Sequence, residues 1–163
     1  MMTITEFNIY IENIRGQMLR FAVAILQSEP DAQDVVSGVV ERLWKEREKL
    51  KVGPSSVSFA MTAVRNGCYD RLRFKKRWRY EEPNERNYSY EQSIDVSDKI
   101  NMVRHAISLL PDRQREVLHL KDIEGYETKE IACIFNIEET NVRMILSRAR
   151  IALKNIIIKH MKL

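Results

Sequence analysis

The feature that most restricts the fold is a helical pattern of apolar residues, present at both ends of the chain and absent from its middle. In residues 5–79 and 98–163, apolar residues recur at spacings of three and four, as in amphipathic helices. The segment 80–97 lacks this period and contains five acidic residues, one arginine and little aliphatic content. Such a segment cannot bury enough apolar surface to offset its conformational entropy. The sequence therefore predicts an all-α protein of two small helical domains joined by a flexible acidic linker.

Turn-forming residues divide the first domain, residues 1–79, into shorter helices. Pro30 and the pair Gly53-Pro54 interrupt the helical pattern, because proline disfavours a helical conformation in the residue before it. Asp31 is the expected cap of the second helix. Three helices are predicted, at about 5–26, 31–50 and 58–79.

The second domain, residues 98–163, is divided in the same way. Pro111 and Gly125 mark helix boundaries, since proline cannot continue a helix and glycine commonly ends one. Four helices are predicted, at about 100–110, 112–124, 128–135 and 139–158.

Composition indicates a cytoplasmic protein without membrane insertion. The N-terminus lacks the charged and apolar regions of a signal peptide, and no apolar run approaches the length that spans a bilayer. Cys68 and Cys133 form no CxxC pair and lie in apolar helical patterns, which predicts buried thiols rather than a disulfide or metal ligands. The formal net charge of +4 is compatible with a polyanionic partner.

Residues 128–152 have the spacing of a helix-turn-helix. Ala132 is small where the second helix must approach, Asn136 tolerates the positive φ angle that the turn requires, and Val142 and Ile145 face inward. Arg150, Lys154 and Lys159 follow and are expected to meet phosphates. The residues expected to face a DNA groove are Thr140, Asn141, Arg143, Met144, Ser147 and Arg148. A helical hairpin with a solvated basic face is the alternative.

The same region resembles a known family. Residues 110–153, through Leu110-Pro111, Glu124-Gly125 and the run Leu146 to Arg150, resemble the promoter-binding C-terminal domain of bacterial extracytoplasmic-function (ECF) sigma factors, members of the sigma-70 family. Residues 31–50 resemble the helix of that family that docks on RNA polymerase, and 58–77 resemble its minus-ten helix. The resemblance implies a sigma factor that directs core RNA polymerase to specific promoters and initiates transcription. It also implies an anti-sigma factor as a further partner.

The resemblance also implies a polymerase-binding surface on the second helix. Ser37-Gly38 stand where the family usually has Gln-Glu, so the contacts there must come from neighbouring residues. The candidates are Asp31, Asp34, Val35, Val39, Arg42, Leu43 and Trp44. The alternative is that the apolar members of this set belong to the core.

The third helix is expected to bind the minus-ten element. Tyr69, Phe74 and Trp78 are interleaved with cations, as suits unstacked bases on a phosphate backbone. The family captures a flipped base with the loop before this helix, here about 51–57. The residues expected near DNA are Arg65, Asn66, Arg73, Lys76 and Arg77. The alternative is a solvated basic helix whose aromatic residues lie in the core.

No catalytic residue, cofactor or metal site is predicted, and we do not expect an enzyme. His105, His119 and His160 are scattered without ligand spacing, and no Gly-rich phosphate loop or nucleophile elbow is present. Two other functions stay open. One is a helix-turn-helix regulator with an N-terminal sensor or dimerisation domain, and the other is an adaptor that binds polymerase without contacting DNA bases.

Overall fold

A computed structural model describes residues 2–51, 53–78 and 97–161, and all regular elements in these ranges are helices. The all-α prediction is therefore confirmed, whereas the predicted linker lies outside the described residues except for Ser97, which begins a helix. The helices fall into two compact units, one containing α1 to α3 and the other most of α4 to α7. They are α1 (Ile4–Leu26), α2 (Glu29–Lys45), α3 (Pro54–Trp78), α4 (Ser97–Ser108), α5 (Asp112–Leu118), α6 (Thr128–Phe135) and α7 (Glu139–Met161).

In the first unit, α1 packs against both α2 and α3. Its start is fixed by a capping box in which the Thr3 hydroxyl accepts from the Glu6 amide and the Glu6 carboxylate accepts from the Thr3 amide. Along the helix, the apolar residues predicted from the periodicity form its buried face: Phe7, Ile11, Ile14, Met18, Phe21, Ala22 and Ile25. The amphipathic pattern of the sequence thus identifies the core side of α1.

The helix boundaries of α2 and α3 differ from the prediction. Helix α2 begins at Glu29, with Ser28 as the N-cap residue, because Pro30 is tolerated within a first turn. Asp31 is therefore inside the helix and is not its cap. The helix ends at Lys45, and a 3₁₀ turn at Arg47–Lys49 replaces its predicted last turn.

Helix α3 begins at Pro54, four residues earlier than predicted, as suits proline at a first helical position. Gly53 precedes it with a φ angle of 146°. Further along, a Cβ atom on Gly67 would lie 3.0 Å from Cγ1 of Val35 and 3.7 Å from Cγ2 of Val39. Glycine therefore allows α2 and α3 to approach closely.

The second unit is built around the packing of α5 against α7. A π-helical turn at His119–Ile123 extends α5, and Gly125 follows with a φ angle of 77°. Asn136, between α6 and α7, has a φ angle of 53°, which confirms the predicted left-handed turn residue. Cys133 of α6 is exposed, so the prediction of a buried thiol is wrong there, whereas Cys68 of α3 is buried as predicted.

The core of this unit contains charged residues that already have partners. Arg115 is buried and donates to the Leu110 carbonyl at 3.0 Å and to the Asp112 carboxylate at 2.9 Å. His119 Nε2 lies 3.3 Å from Oε1 of Glu124, and both side chains are nearly inaccessible. Arg115 thus joins α5 to the segment before it, and the His119–Glu124 contact lies within the turn that follows α5.

Candidate nucleic-acid interface

The first three turns of α7 carry a face that is open to solvent and mostly polar. Val142, Leu146 and Ala149 are buried, which fixes the rotation of the helix. Arg143 Nη2 lies 3.1 Å from the Glu139 carboxylate one turn earlier. The six residues expected to face DNA are all exposed on the outer side: Thr140, Asn141, Arg143, Met144, Ser147 and Arg148. A helix with this face can present hydrogen-bond donors and acceptors to base edges in a major groove.

The next cation on α7 has a different role from the one expected. Arg150 donates to both carboxylate oxygens of Asp122, with Nε to Oδ2 at 3.1 Å and Nη2 to Oδ1 at 2.7 Å. The hydrogen bond to Asp122 raises the pKa of Arg150. Arg150 therefore joins α7 to the π-helical turn, and Lys154 and Lys159 are exposed.

The predicted minus-ten residues lie along α3. Asn66, Arg73, Lys76 and Arg77 are exposed, and Arg73 is paired with Asp70 one turn earlier. Arg65 is half-buried, with its guanidinium 4.8 Å from the centre of the Tyr69 ring. The structure thus places all five on one helix, with Arg65 more restricted than the rest.

Two aromatic residues near the end of α3 are exposed. The Phe74 and Trp78 residues have exposed fractions of 58% and 77%, and their ring centroids are 6.0 Å apart. The two neighbouring rings form a small exposed apolar patch. The alternative in which the aromatics of α3 lie in the core is therefore wrong for these two residues.

Asp31 of α2 faces α3. Its carboxylate accepts from Arg71 Nη2 at 3.1 Å and is also paired with Lys75 Nζ. Burial acts to raise the pKa of Asp31, but hydrogen bonds and charge from Lys75, with hydrogen bonds from Arg71 and Ser28, outweigh it and hold that pKa below its usual value. The carboxylate therefore stays ionised between the two helices.

The remaining residues of the predicted polymerase surface are distributed between the core and the outside. Val39 and Leu43 are buried in the first unit, which corrects the expectation that their side chains contact a partner. Val35 is half-buried beside Gly67. Asp34 and Arg42 are exposed.

Trp44 is half-buried at the end of α2. Its ring lies 5.2 Å from the Phe7 ring in an edge-on arrangement, and the Arg47 guanidinium lies 4.1 Å from its centre. One part of Trp44 thus belongs to the core and the other part remains available. The outer surface of α2 therefore depends on Asp34, Arg42 and the accessible part of Trp44.

A recess of about 440 Å³ lies beside the loop that precedes α3. Ser56 Oγ donates to the Gly53 carbonyl at 2.6 Å, and the Tyr10 hydroxyl of α1 donates to the Ser56 carbonyl. Burial raises the pKa of Tyr10 to about 12. The residues that line the recess are Glu46, Lys49, Leu50, Lys51, Ser55, Ser56 and Phe59.

This recess overlaps the segment 51–57 that was expected to be a loop holding a flipped base, although α3 begins within that segment at Pro54. The Phe59 ring and two lysines in its lining suit an unstacked base attached to a phosphate, and Glu46 is the acidic residue of the lining. Sequence analysis missed Tyr10, since nothing in a single sequence relates it to a residue 46 positions later.

Within the described ranges, no group of three or more His, Cys, Asp or Glu residues could hold a metal ion. None of the helices described has both the length and the apolar character needed to cross a membrane.

Comparison with solved structures identifies the fold. The sigma factor RpoE in complex with the anti-sigma factor NepR from Bartonella quintana is 19% identical, with a TM-score of 0.75 over 94% of this chain and 97% of that one. CnrH in complex with the cytosolic domain of CnrY is 17% identical, with a TM-score of 0.72 over 96% and 90% of the two chains. Among the curated proteins, no sequence matches this chain.

Comparison with protein families gives two matches in the order of the two helical units. The model described as Sigma-70 region 2 matches residues 10–79, which include α2 and α3. The model described as Sigma-70, region 4, matches residues 100–153, which include α6 and the exposed face of α7. Together they account for most of the chain, which belongs to the sigma-70 family of RNA polymerase sigma factors that act in transcription initiation.

Proposed function

We propose that this sigma factor is of the ECF type and holds two separate promoter elements while its first domain binds core RNA polymerase. The observation that carries the proposal is the match to sigma-70 regions 2 and 4, in that order, with an exposed polar helix face in each. The assigned domains are residues 1–79 and 98–163, separated by 80–97. The polymerase supplies the catalysis, and we assign the chain to the cytoplasm.

In the second domain, α7 is assigned to the minus-thirty-five element. Arg143 and Arg148 are exposed on its outer face, and arginine can donate two hydrogen bonds to guanine. Asn141 can pair with adenine in the same way. We assign the phosphate contacts to Lys154 and Lys159, because Arg150 is hydrogen-bonded to Asp122.

In the first domain, α3 is assigned to the minus-ten element after strand separation. The exposed rings of Phe74 and Trp78 offer stacking surfaces for unpaired bases, and Lys76 and Arg77 offer charge to the backbone. The recess beside Phe59 is assigned to one flipped base.

The outer surface of α2 is assigned to core polymerase through Asp34, Arg42 and the accessible part of Trp44. Arginine and tryptophan are enriched among the residues that dominate binding energy at interfaces. Both similar solved structures are complexes, one with the anti-sigma factor NepR and one with the cytosolic domain of CnrY. We therefore assign an anti-sigma factor as the partner that controls this chain.

Reconstitution of the purified chain with core polymerase, followed by mapping of transcription starts on genomic DNA, tests the proposal. We expect new start sites preceded by a shared pair of sequence elements. A chain that binds duplex DNA alone and does not associate with core polymerase would be a helix-turn-helix regulator instead. A chain that binds polymerase but leaves start-site choice unchanged, even after replacement of Arg143 and Arg148, would be an adaptor.

A further inference from the structure

The cations of α3 fall into two groups that differ in their surroundings. Arg71 and Lys75 lie one turn apart on the side of α3 that faces α2, and their side chains are 36% and 32% exposed. Both are paired with Asp31, whose side chain is 13% exposed. Lys76 and Arg77 are exposed. One helix thus carries two half-buried cations paired with Asp31 and other cations that are exposed, of which Arg73 is paired with the exposed Asp70.

We infer that Asp31 is an internal counter-charge that withholds Lys75 and Arg71 from nucleic acid. The DNA backbone is then held by Lys76, Arg77 and their exposed neighbours. This inference rests on the proposed binding of a single strand by α3, and it gives Asp31 a role other than contact with polymerase.

The physical argument concerns counterions. A cation that neutralises a phosphate releases a counterion, and each such contact makes log K fall more steeply with log[salt], by about 0.7 for single strands. A cation already neutralised by a protein carboxylate adds little to this slope. Removing Lys75 from Asp31 would also leave a mostly buried carboxylate with one partner fewer, which opposes transfer of Lys75 to DNA.

The two groups of cations make different predictions for matched variants. In K76Q/R77Q, two exposed cations are lost, and we expect the slope to become shallower by about 1.4. In D31N/R71Q/K75Q, two cations are also lost, but together with their counter-charge. We expect this triple variant to retain the wild-type slope.

The single variant D31N should show a steeper dependence of log K on log[salt] than the wild type. Asparagine has the shape of aspartate without its charge, so Lys75 becomes available to phosphate. We expect the slope to steepen by about 0.7, the value for one cation, because Arg71 keeps Asp34 at 3.6 Å. E29Q, which removes an exposed acid from the first turn of α2, controls for net charge.

The measurement is fluorescence anisotropy of holoenzyme binding to a labelled single-stranded oligonucleotide over a series of salt concentrations. Circular dichroism of each variant verifies folding. The inference is overturned if the triple variant loses as much slope as K76Q/R77Q, or if D31N steepens the slope no more than E29Q. If K76Q/R77Q leaves the slope unchanged, the assignment of α3 to single-stranded DNA fails instead.

Discussion

Helices α3 and α7 are of similar length and carry most of the candidate DNA contacts, but they present different chemistry. The first three turns of α7 offer polar and cationic side chains above a buried face of Val142, Leu146 and Ala149. The second half of α3 combines cations with the exposed rings of Phe74 and Trp78. Hydrogen-bonding side chains suit the edges of paired bases, whereas aromatic rings suit unpaired bases. This contrast supports the proposal that α7 recognises paired promoter DNA and α3 recognises separated strands.

The largest effect is expected from replacing both arginines on the outer face of α7. A bidentate arginine to guanine contact is worth about 1–3 kcal/mol of discrimination, or roughly 5- to 150-fold per contact. R143A/R148A should therefore lose most of its preference for the correct upstream element. Transcription in vitro on matched and mutated upstream elements measures this preference. K154Q should lower transcription on both templates alike, and an equal loss in R143A/R148A would argue against base recognition.

The complementary effect on α3 concerns stacking. Replacing Trp78 with alanine removes a surface worth about 1–3 kcal/mol for each stacked base. W78A holoenzyme should bind a single-stranded minus-ten oligonucleotide more weakly while its preference for the upstream element is unchanged. I151A removes an exposed apolar side chain from α7 and is the matched control. A W78A variant with wild-type affinity for single strands would remove the distinction between the two helices.

The α7 face could be predicted from the sequence because periodicity alone defines it. Once Val142 and Leu146 are placed inside, Arg143 and Arg148 must point outward, and the small set of residues allowed at positive φ identifies Asn136 as the turn. The helical content and the two-domain organisation follow from the same pattern.

The arrangement around α3 could not be predicted in this way. Asp31 is paired with residues 40 and 44 positions later, and charges on a polar helix have no periodicity that selects one partner. Apolar residues such as Val39 and Leu43 fit a core and an interface equally well by composition, so only the packing of α2 against α1 and α3 decides between them. The starts of α2 and α3 differed from the prediction because Pro30 and Pro54 lie within first turns.

The packing of α3 can be tested at a glycine. A methyl group at Gly67 would meet Val35 at 3.0 Å, and a β-branched side chain on a helix has little freedom to turn away. G67A should therefore lower the free energy of unfolding by about 1 kcal/mol, since overpacking costs about 1–3 kcal/mol and alanine returns up to about 1 kcal/mol of helix propensity. At Gly38, no atom lies within 4 Å of the added methyl group. G38A should therefore raise the free energy of unfolding by up to about 1 kcal/mol. Urea denaturation measures both, and equal shifts would contradict the close approach.

An effect on stability no larger than that of G67A is expected at Tyr10, whose hydroxyl is bonded to the first turn of α3. Y10F removes the donor to the Ser56 carbonyl, so we expect the free energy of unfolding at neutral pH to fall by about 1 kcal/mol. We also expect a lower affinity for single-stranded DNA, while recognition of the upstream element is unchanged. The pKa of Tyr10 is raised to about 12 in the fold, so the neutral phenol is favoured there. Its contribution is complete below pH of about 10, the unfolded pKa, and is lost as pH rises toward 12. Urea denaturation between pH 7 and 11 should show a decline in the free energy of unfolding of the wild type that Y10F reduces; parallel pH curves would mean that burial of the Tyr10 phenol does not cause this decline.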